Sequence, residues 1–128
     1  MNYKIPKNLY YTAEHEWVRI EEDIATIGIT DFAQSSLGDI VFVELPQVES
    51  KFELGAPFGV VESIKSVSDL FCPLNGEVID VNRDLEEKPE LCNSDPYDAW
   101  MIKIKIISKK EISQLISSDK YPDYCNES

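Results

Sequence analysis

The segment SVSDLFCPLNGEVIDV, residues 66–81, can be laid without a gap on GITDFAQSSLGDIVFV, residues 28–43. Each copy contains a glycine, then an acidic residue, then a run rich in β-branched side chains, at Gly38–Asp39 in one copy and Gly76–Glu77 in the other. Such a glycine is typical of a turn that enters a β-strand. The repeat therefore predicts two similar β halves, related by an approximate two-fold axis around one core.

The rest of the chain is also rich in strand-like runs. Residues 16–20 and 24–30 are mostly apolar and β-branched and are separated by three acidic residues, which indicates a hairpin. Residues 100–107 alternate between apolar and lysine side chains over much of their length. Alternation with a period of two predicts strands with one buried face, so the predicted fold class is mostly β.

Three segments carry helix signals. Residues 31–37 are predicted to form a short helix, and residues 85–91 another that Pro89 interrupts. Ser108 and Glu111 have capping-box spacing, and apolar residues follow at helical intervals, which predicts a C-terminal helix over about 108–118.

Length and charge limit the organisation and the partners. The chain has 128 residues, 24 acidic and 12 basic side chains and a net charge of −12. We expect one domain over residues 1–128, with a core at about 10–107 and a loosely held tail at 119–128. An acidic surface repels phosphates, which argues against nucleic-acid binding. No apolar run approaches the ~20 residues of a membrane span, and no targeting signal is visible at the start, so we expect a cytoplasmic protein.

Conventional enzyme motifs are absent from the sequence. His15 is the only histidine, and there is no nucleophile elbow, phosphate-binding loop or metal-ligand spacing. Cys72, Cys92 and Cys125 are odd in number and lack C-x-x-C spacing, which favours reduced thiols over disulfides or zinc. The sequence therefore predicts neither catalytic residues nor a metal.

Lys65 stands in the middle of VVESIKSVSDLF, residues 60–71, where two strand-prone arms meet at a short polar interruption. This pattern places the lysine at a hairpin tip, held by strands and open to an acylating enzyme. Exposed lysines at hairpin tips are common, however, and spacing alone also fits a lysine that only solvates the turn.

A series of sequence blocks resembles the H proteins of the glycine cleavage system over nearly the whole chain. The blocks are EHEWV at 14–18, ATIGITDFAQ at 25–34, LGDIVFVELP at 37–46, FGVVESIKSVSDL at 58–70, PLNGEVIDVN at 73–82, NSDPY at 93–97 and WMIKIK at 100–105.

The resemblance implies a hybrid barrel-sandwich fold, as in lipoyl and biotinyl domains, and a carrier rather than an enzyme. The lysine of the family's E-S-x-K motif falls on Lys65, which would carry lipoate through an amide bond. The implied partners are glycine decarboxylase, a pyridoxal-phosphate enzyme, the folate-dependent aminomethyltransferase and dihydrolipoamide dehydrogenase. A lipoate ligase or an octanoyltransferase would modify the lysine.

The resemblance also implies a cleft for the loaded arm. By position, Glu14, Glu16, Ile29 and Asp69 match that cleft, where carboxylates would favour a cationic amine. The alternative is that they are ordinary strand-edge acids and a core isoleucine. His15 is either a partner contact or a half-exposed strand residue.

Three loops depart from the family pattern. The segment Gln47–Ser50 lacks a common glycine, the segment before Trp100 is one residue shorter, and Pro57 stands near a position where a small residue is frequent. These departures leave open a related lipoyl carrier for lipoate relay or sulfur metabolism. A biotin carrier is disfavoured because Ile64 and Ser66, not methionines, flank the lysine. A β-fold interaction module is the remaining alternative.

Overall fold

The structure is a computed structural model that describes residues 3–125. Its strands are β1 (Tyr10–Tyr11), β2 (Glu16–Glu21), β3 (Ile24–Ile29), β4 (Ile40–Glu44), β5 (Lys51–Phe52), β6 (Pro57–Ser63), β7 (Val67–Phe71), β8 (Gly76–Val81), β9 (Ile102–Ile106) and β10 (Ile116–Ser117). Its α-helices are α1 (Asp31–Leu37), α2 (Asp84–Glu87) and α3 (Leu91–Ser94), and 3-10 helices span Lys109–Gln114 and Tyr121–Tyr124.

The strands form two sheets around a shared core. The larger sheet has the order β10-β1-β2-β3-β9-β8-β5, and the smaller has the order β4-β6-β7. Val18 and Ile27 of the larger sheet and Val43 and Val61 of the smaller belong to one buried cluster. The mostly β prediction is confirmed, and the two-sheet arrangement agrees with a barrel-sandwich.

The predicted hairpin of residues 16–30 is formed by β2 and β3. Trp17 is opposite Gly28 in the antiparallel register. A Cβ at position 28 would lie 2.7 Å from the Trp17 indole, so only glycine leaves room for this buried ring.

The internal repeat corresponds to only part of the observed structure. Gly38 precedes β4 and Gly76 begins β8, as the alignment predicts. Residues 31–37, however, form α1, whereas residues 69–71, which match 31–33, continue β7. The Thr30 hydroxyl caps α1 by accepting from the Ala33 N–H. Pro73 lacks the N–H that a matching helix would need.

The C-terminal helix predicted over 108–118 is confirmed only for Lys109–Gln114, which form a 3-10 helix. The prediction is wrong at Ile116–Ser117, which form strand β10, paired with β1. Glu111 does not complete a capping box; its carboxylate accepts from the N–H and the side-chain amide of Asn75. Short isolated helices are marginal, so these tertiary pairings decide the conformation.

The prediction of a loose tail from residue 119 is also wrong for part of that segment. Tyr121 is completely buried and stacks on Tyr11, with ring centroids 4.4 Å apart. Leu9, Trp17 and these two tyrosines form a second, smaller core. Residues 126–128 of the predicted tail lie outside the described residues.

The segment predicted as a helix broken by Pro89 forms α2 and α3, one on each side of that proline. In the described part of the chain, residues 3–125, no helix has the length and apolar character to cross a membrane.

Candidate functional site: the Lys65 hairpin and the edge of β7

Lys65 lies in the turn between β6 and β7, as the sequence predicts. The last cross-strand pair is Glu62 with Val67, and the Ser63 N–H donates to the Ser66 carbonyl at 2.8 Å. The Ser63 hydroxyl accepts from the backbone N–H of both Lys65 and Ser66, each at 3.1 Å. This serine therefore fixes the turn, and the Lys65 side chain is exposed.

The Lys65 ammonium contacts the neighbouring helix α1. Its Nζ donates to the carbonyl of Ser36 at 3.0 Å. Among residues 3–125, one ion pair has its nitrogen and oxygen atoms within 4 Å, and it joins Arg83 and Glu86. Lys65 is therefore not paired with a carboxylate in this part of the chain. The amine is held by a single carbonyl and otherwise faces solvent.

The predicted cleft residues lie at one end of β2 and β3 and along the free edge of β7. Glu16 is opposite Ile29 in the register of β2 and β3. Glu14 is exposed just before β2, and Asp69 is exposed on β7, which is an edge strand. Glu16 reaches this edge, because its Oε2 accepts from the N–H of Phe71 at 3.1 Å.

Glu16 and Ile29 differ from Glu14 and Asp69 in being buried. Glu16 is 2% exposed and Ile29 is 3% exposed. The second carboxylate oxygen of Glu16 accepts from the Thr12 hydroxyl at 2.6 Å. Burial raises the pKa of Glu16 to about 7, although the bonds from Thr12 and Phe71 oppose the rise. Of the four predicted cleft residues, Glu14 and Asp69 are the two whose carboxylates are exposed.

Comparison with known proteins identifies the family. The chain matches the family model described as glycine cleavage H-protein over residues 9–128. It is 49% identical to the glycine cleavage system H protein of Halothermothrix orenii over 124 residues, covering 96% of this chain and 97% of that protein. It is 54% identical to that of Brevibacillus brevis over 119 residues, covering 92% and 94%. The crystal structure of a glycine cleavage system H protein from Mycobacterium marinum superposes with a TM-score of 0.86 at 36% identity, covering 93% of this chain and 97% of that one.

The chain belongs to the glycine cleavage H-protein family. The family predicted from the sequence blocks is thereby confirmed. As an H protein, the chain is the lipoyl-carrier component of the glycine cleavage system.

His15 of this H protein is a half-buried residue with internal partners. Its Nδ1 lies 2.7 Å from the Tyr121 hydroxyl, and its ring lies 4.5 Å from the ring of Phe32. Burial lowers its pKa, partly offset by the charge of Glu14. Its observed role is to attach the C-terminal segment to the start of β2.

Thr12 and Tyr121 were not among the site residues predicted from the sequence. Thr12 accepts a backbone bond from Glu16 and donates to its carboxylate. The spacing of four residues between Thr12 and Glu16 is the one signal in the sequence for this contact, and it is a weak one. Tyr121 gave no local signal, because its partners Thr30 and His15 lie about 90 or more residues away along the chain.

The cysteines of this H protein are free thiols. Burial raises the pKa of Cys72 to about 11 and that of Cys92 to about 12. Few such groups are thiolates at neutral pH, so they are poor nucleophiles. No group of three metal-ligating side chains occurs within the part of the chain that is described.

The segment Gln47–Ser50, which departs from the family pattern, contains a residue with a strained backbone conformation. Glu49, in the segment that lacks the common glycine, has φ of +80°. A non-glycine residue with this φ is unfavourable. The Glu49 N–H donates to the Val78 carbonyl at 2.8 Å, so a bond to β8 holds the loop in place.

Proposed function

We propose that Lys65 carries lipoate through an amide on Nζ and that the resulting arm serves the enzymes of glycine cleavage in turn. The observation that supports this most is the position of Lys65, the lysine of the E-S-x-K motif. It stands at the exposed tip of a braced hairpin in a chain of the H-protein family.

The surroundings of Lys65 fit acylation. The side chain is exposed and forms no ion pair among the described residues, so conversion to an amide breaks no charge pair. Acylation removes one positive charge from a chain whose net charge is −12. A lipoate ligase or an octanoyltransferase is the enzyme class that would supply the acyl group.

Lys65 would hold the lipoyl group, whose dithiolane would supply the thiol and disulfide chemistry needed to accept an aminomethyl group at glycine decarboxylase, to deliver it at the aminomethyltransferase and to be reoxidised by dihydrolipoamide dehydrogenase. The hairpin positions the nitrogen atom to which the lipoyl group would be attached. It presents the attachment nitrogen on a rigid two-stranded base, which gives each enzyme a high effective concentration of the reactive group.

We assign the edge of β7 as the resting place of the loaded arm. Asp69 lies on β7 four residues after Lys65, and Glu14 lies at the end where Glu16 touches that strand. The carboxylates of Asp69 and Glu14 would attract a carried ammonium. Glu16 and Ile29 are buried there, so they would shape the end of the cleft rather than its open rim.

The side chains beside Lys65 fit contact with partner enzymes. Phe42, Glu62 and Val67 form one cross-strand row on the outer face of the smaller sheet. Phe42 is 44% exposed, Val67 is 65% exposed and Ile64 at the tip is 70% exposed. Any enzyme that takes the end of the arm into its active site approaches this mixed apolar and acidic face.

The proposal is tested by glycine–bicarbonate exchange with purified glycine decarboxylase. Lipoylated wild type is expected to support exchange, and Lys65→Arg is not. Lys105→Arg, at an exposed position on β9, is the matched control and is expected to match wild type. A fully lipoylated sample without exchange would contradict glycine cleavage and favour a lipoate-relay or sulfur-metabolism carrier.

A further inference from the structure

The turn after α1 forms a seat for the Lys65 side chain. The Lys65 Nζ donates to Ser36 O at 3.0 Å, and a Cβ built at Gly38 would lie 3.2 Å from Lys65 Cε and 3.8 Å from Nζ. The lysine stem therefore lies on the bare Cα of Gly38. Ser36 is in the last turn of α1, where carbonyls lack helical partners and attract a positive charge.

The conformation of this turn suits glycine alone. Gly38 has φ of +82° and ψ of −159°, a region that other residues scarcely populate. The next residue, Asp39, accepts from the Ile64 N–H at 3.1 Å through its carbonyl. The turn thus contacts the hairpin tip at two places, through its backbone and through the lysine side chain.

Asn93 of α3 stabilises the turn that contacts Lys65 through three hydrogen bonds. Its Nδ2 donates to the Gly38 carbonyl at 2.9 Å and to Gln34 Oε1 at 3.0 Å. Its Oδ1 accepts from the Ile40 N–H at 2.9 Å. One amide side chain therefore holds both sides of the Gly38–Asp39 turn. Its oxygen and its nitrogen are both hydrogen-bonded.

We propose that Gly38 and Asn93 are positioning residues for acylation of Lys65, and that Ser36 O holds one N–H of Nζ both before and after the reaction. This inference rests on the proposed function, since it concerns how that function's attachment site is prepared.

The contact with Ser36 leaves two N–H groups of Lys65 Nζ free for acylation. The ammonium has three N–H groups and one is bonded to Ser36 O, so a solvent-facing N–H can lose its proton to water. The exposed lone pair then attacks an activated acyl carbon. The C–N bond forms, the bond from that carbon to the leaving phosphate or thiol breaks, and a second solvent-facing proton departs. The amide retains one N–H, which is the one that Ser36 O accepts.

The first test needs no variant. In isotopically labelled apo protein, we expect nuclear Overhauser effects between Gly38 Hα and Lys65 Hε protons. After lipoylation, the new Lys65 Nζ–H signal is expected to show contacts to residues 36–38 and slowed exchange with water. Absence of both sets of contacts in wild type would overturn the proposal.

The second test compares single-turnover acylation by a lipoate ligase supplied with lipoate and ATP. Gly38→Ala and Asn93→Ala are expected to lower the acylation rate constant about tenfold at saturating ligase, with little change in half-saturating concentration. Gly55→Ala is the matched control, because Gly55 also has positive φ, +87°, but a Cβ there meets nothing within 4 Å. It is expected to stay within about twofold of wild type.

The outcomes separate this inference from the proposed function. If wild type is never acylated, the proposed function fails, whatever the apo-protein contacts show. If wild type is acylated and both seat variants match it in rate, the positioning role is wrong. Should Gly38→Ala fail to fold, Asn93→Ala and the wild-type contacts decide the question.

Discussion

The carboxylate of Glu16 accepts a hydrogen bond from the backbone N–H of Phe71 at 3.1 Å, across 55 residues of sequence. An ionisable side chain of β2 thereby binds the free edge of β7, the strand that follows Lys65. Because Glu16 is buried and its pKa is raised to about 7, this contact between the two sheets depends on pH near neutrality.

Glu16→Gln is predicted to change the pH dependence of stability. The folded pKa of about 7 lies above the ordinary value of 4.5, so the folded state binds the proton more tightly. The free energy of unfolding of wild type should therefore fall as pH rises from about 5 to 7, by about 2 kcal/mol relative to the glutamine variant, and level off above. Denaturant unfolding at several pH values measures it.

The control for this prediction is Glu44→Gln, at an exposed position on β4. Its stability is expected to differ from that of wild type by less than about 0.5 kcal/mol. A stability difference between Glu16→Gln and wild type that stays flat between pH 5 and 8 would show that Glu16 ionises normally.

Glu49→Gly is predicted to stabilise the protein. Glycine removes the strain of the positive φ at this position but loses more entropy on folding, so the net gain is about 0.5–1 kcal/mol. Glu53→Gly, at an exposed position without positive φ, should instead lower the stability. Denaturation midpoints measure both, and a loss of stability in Glu49→Gly would count against the strain.

Tyr121→Phe is predicted to destabilise the fold by about 1–3 kcal/mol. The ring and its stacking on Tyr11 remain, but Thr30 and His15 each lose a hydroxyl partner, at 2.8 Å and 2.7 Å. Thermal unfolding measures the loss. The exposed Tyr124→Phe should change stability by less than about 0.5 kcal/mol, and equal effects of the two variants would refute the role of the buried hydroxyl.

Asp69→Asn is predicted to leave lipoylation unchanged and to speed loss of a carried aminomethyl group to water by about two- to fivefold. The physical reason is the loss of a carboxylate that attracts the ammonium. Release of formaldehyde from the loaded protein measures it. Glu44→Gln is the control, because Glu44 lies in the same cross-strand row on the opposite edge. Identical release from wild type and Asp69→Asn would remove Asp69 from the cleft.

Local patterns were sufficient where neighbouring residues decide the structure. The β2–β3 hairpin follows from its alternation, α1 from the Thr30 cap, and the Lys65 turn from two strand-prone arms around polar residues. The failures come from distant partners. Pairing with β1 converts the predicted helix at 116–117 into β10. Glu16 accepts a hydrogen bond from Phe71, 55 residues away, which no local pattern around residue 16 indicates.

The seat of Lys65 also combines a local pattern with distant partners. The L-G-D segment indicated a glycine turn, but its contact with the lysine spans 27 residues and its brace by Asn93 spans 55. The sequence therefore located the lysine, whereas the groups that hold it required the fold.

We expect Lys65 Nζ to bear the lipoyl group. The most direct measurement is intact-mass and peptide mass spectrometry of protein from cells grown with and without lipoate. We predict a lipoyl-sized increase in lipoate-supplied cells, mapped to Lys65 and lost in Lys65→Arg. An unmodified Lys65 in cells with active lipoate ligase, or a lipoyl group on another lysine, would contradict the account.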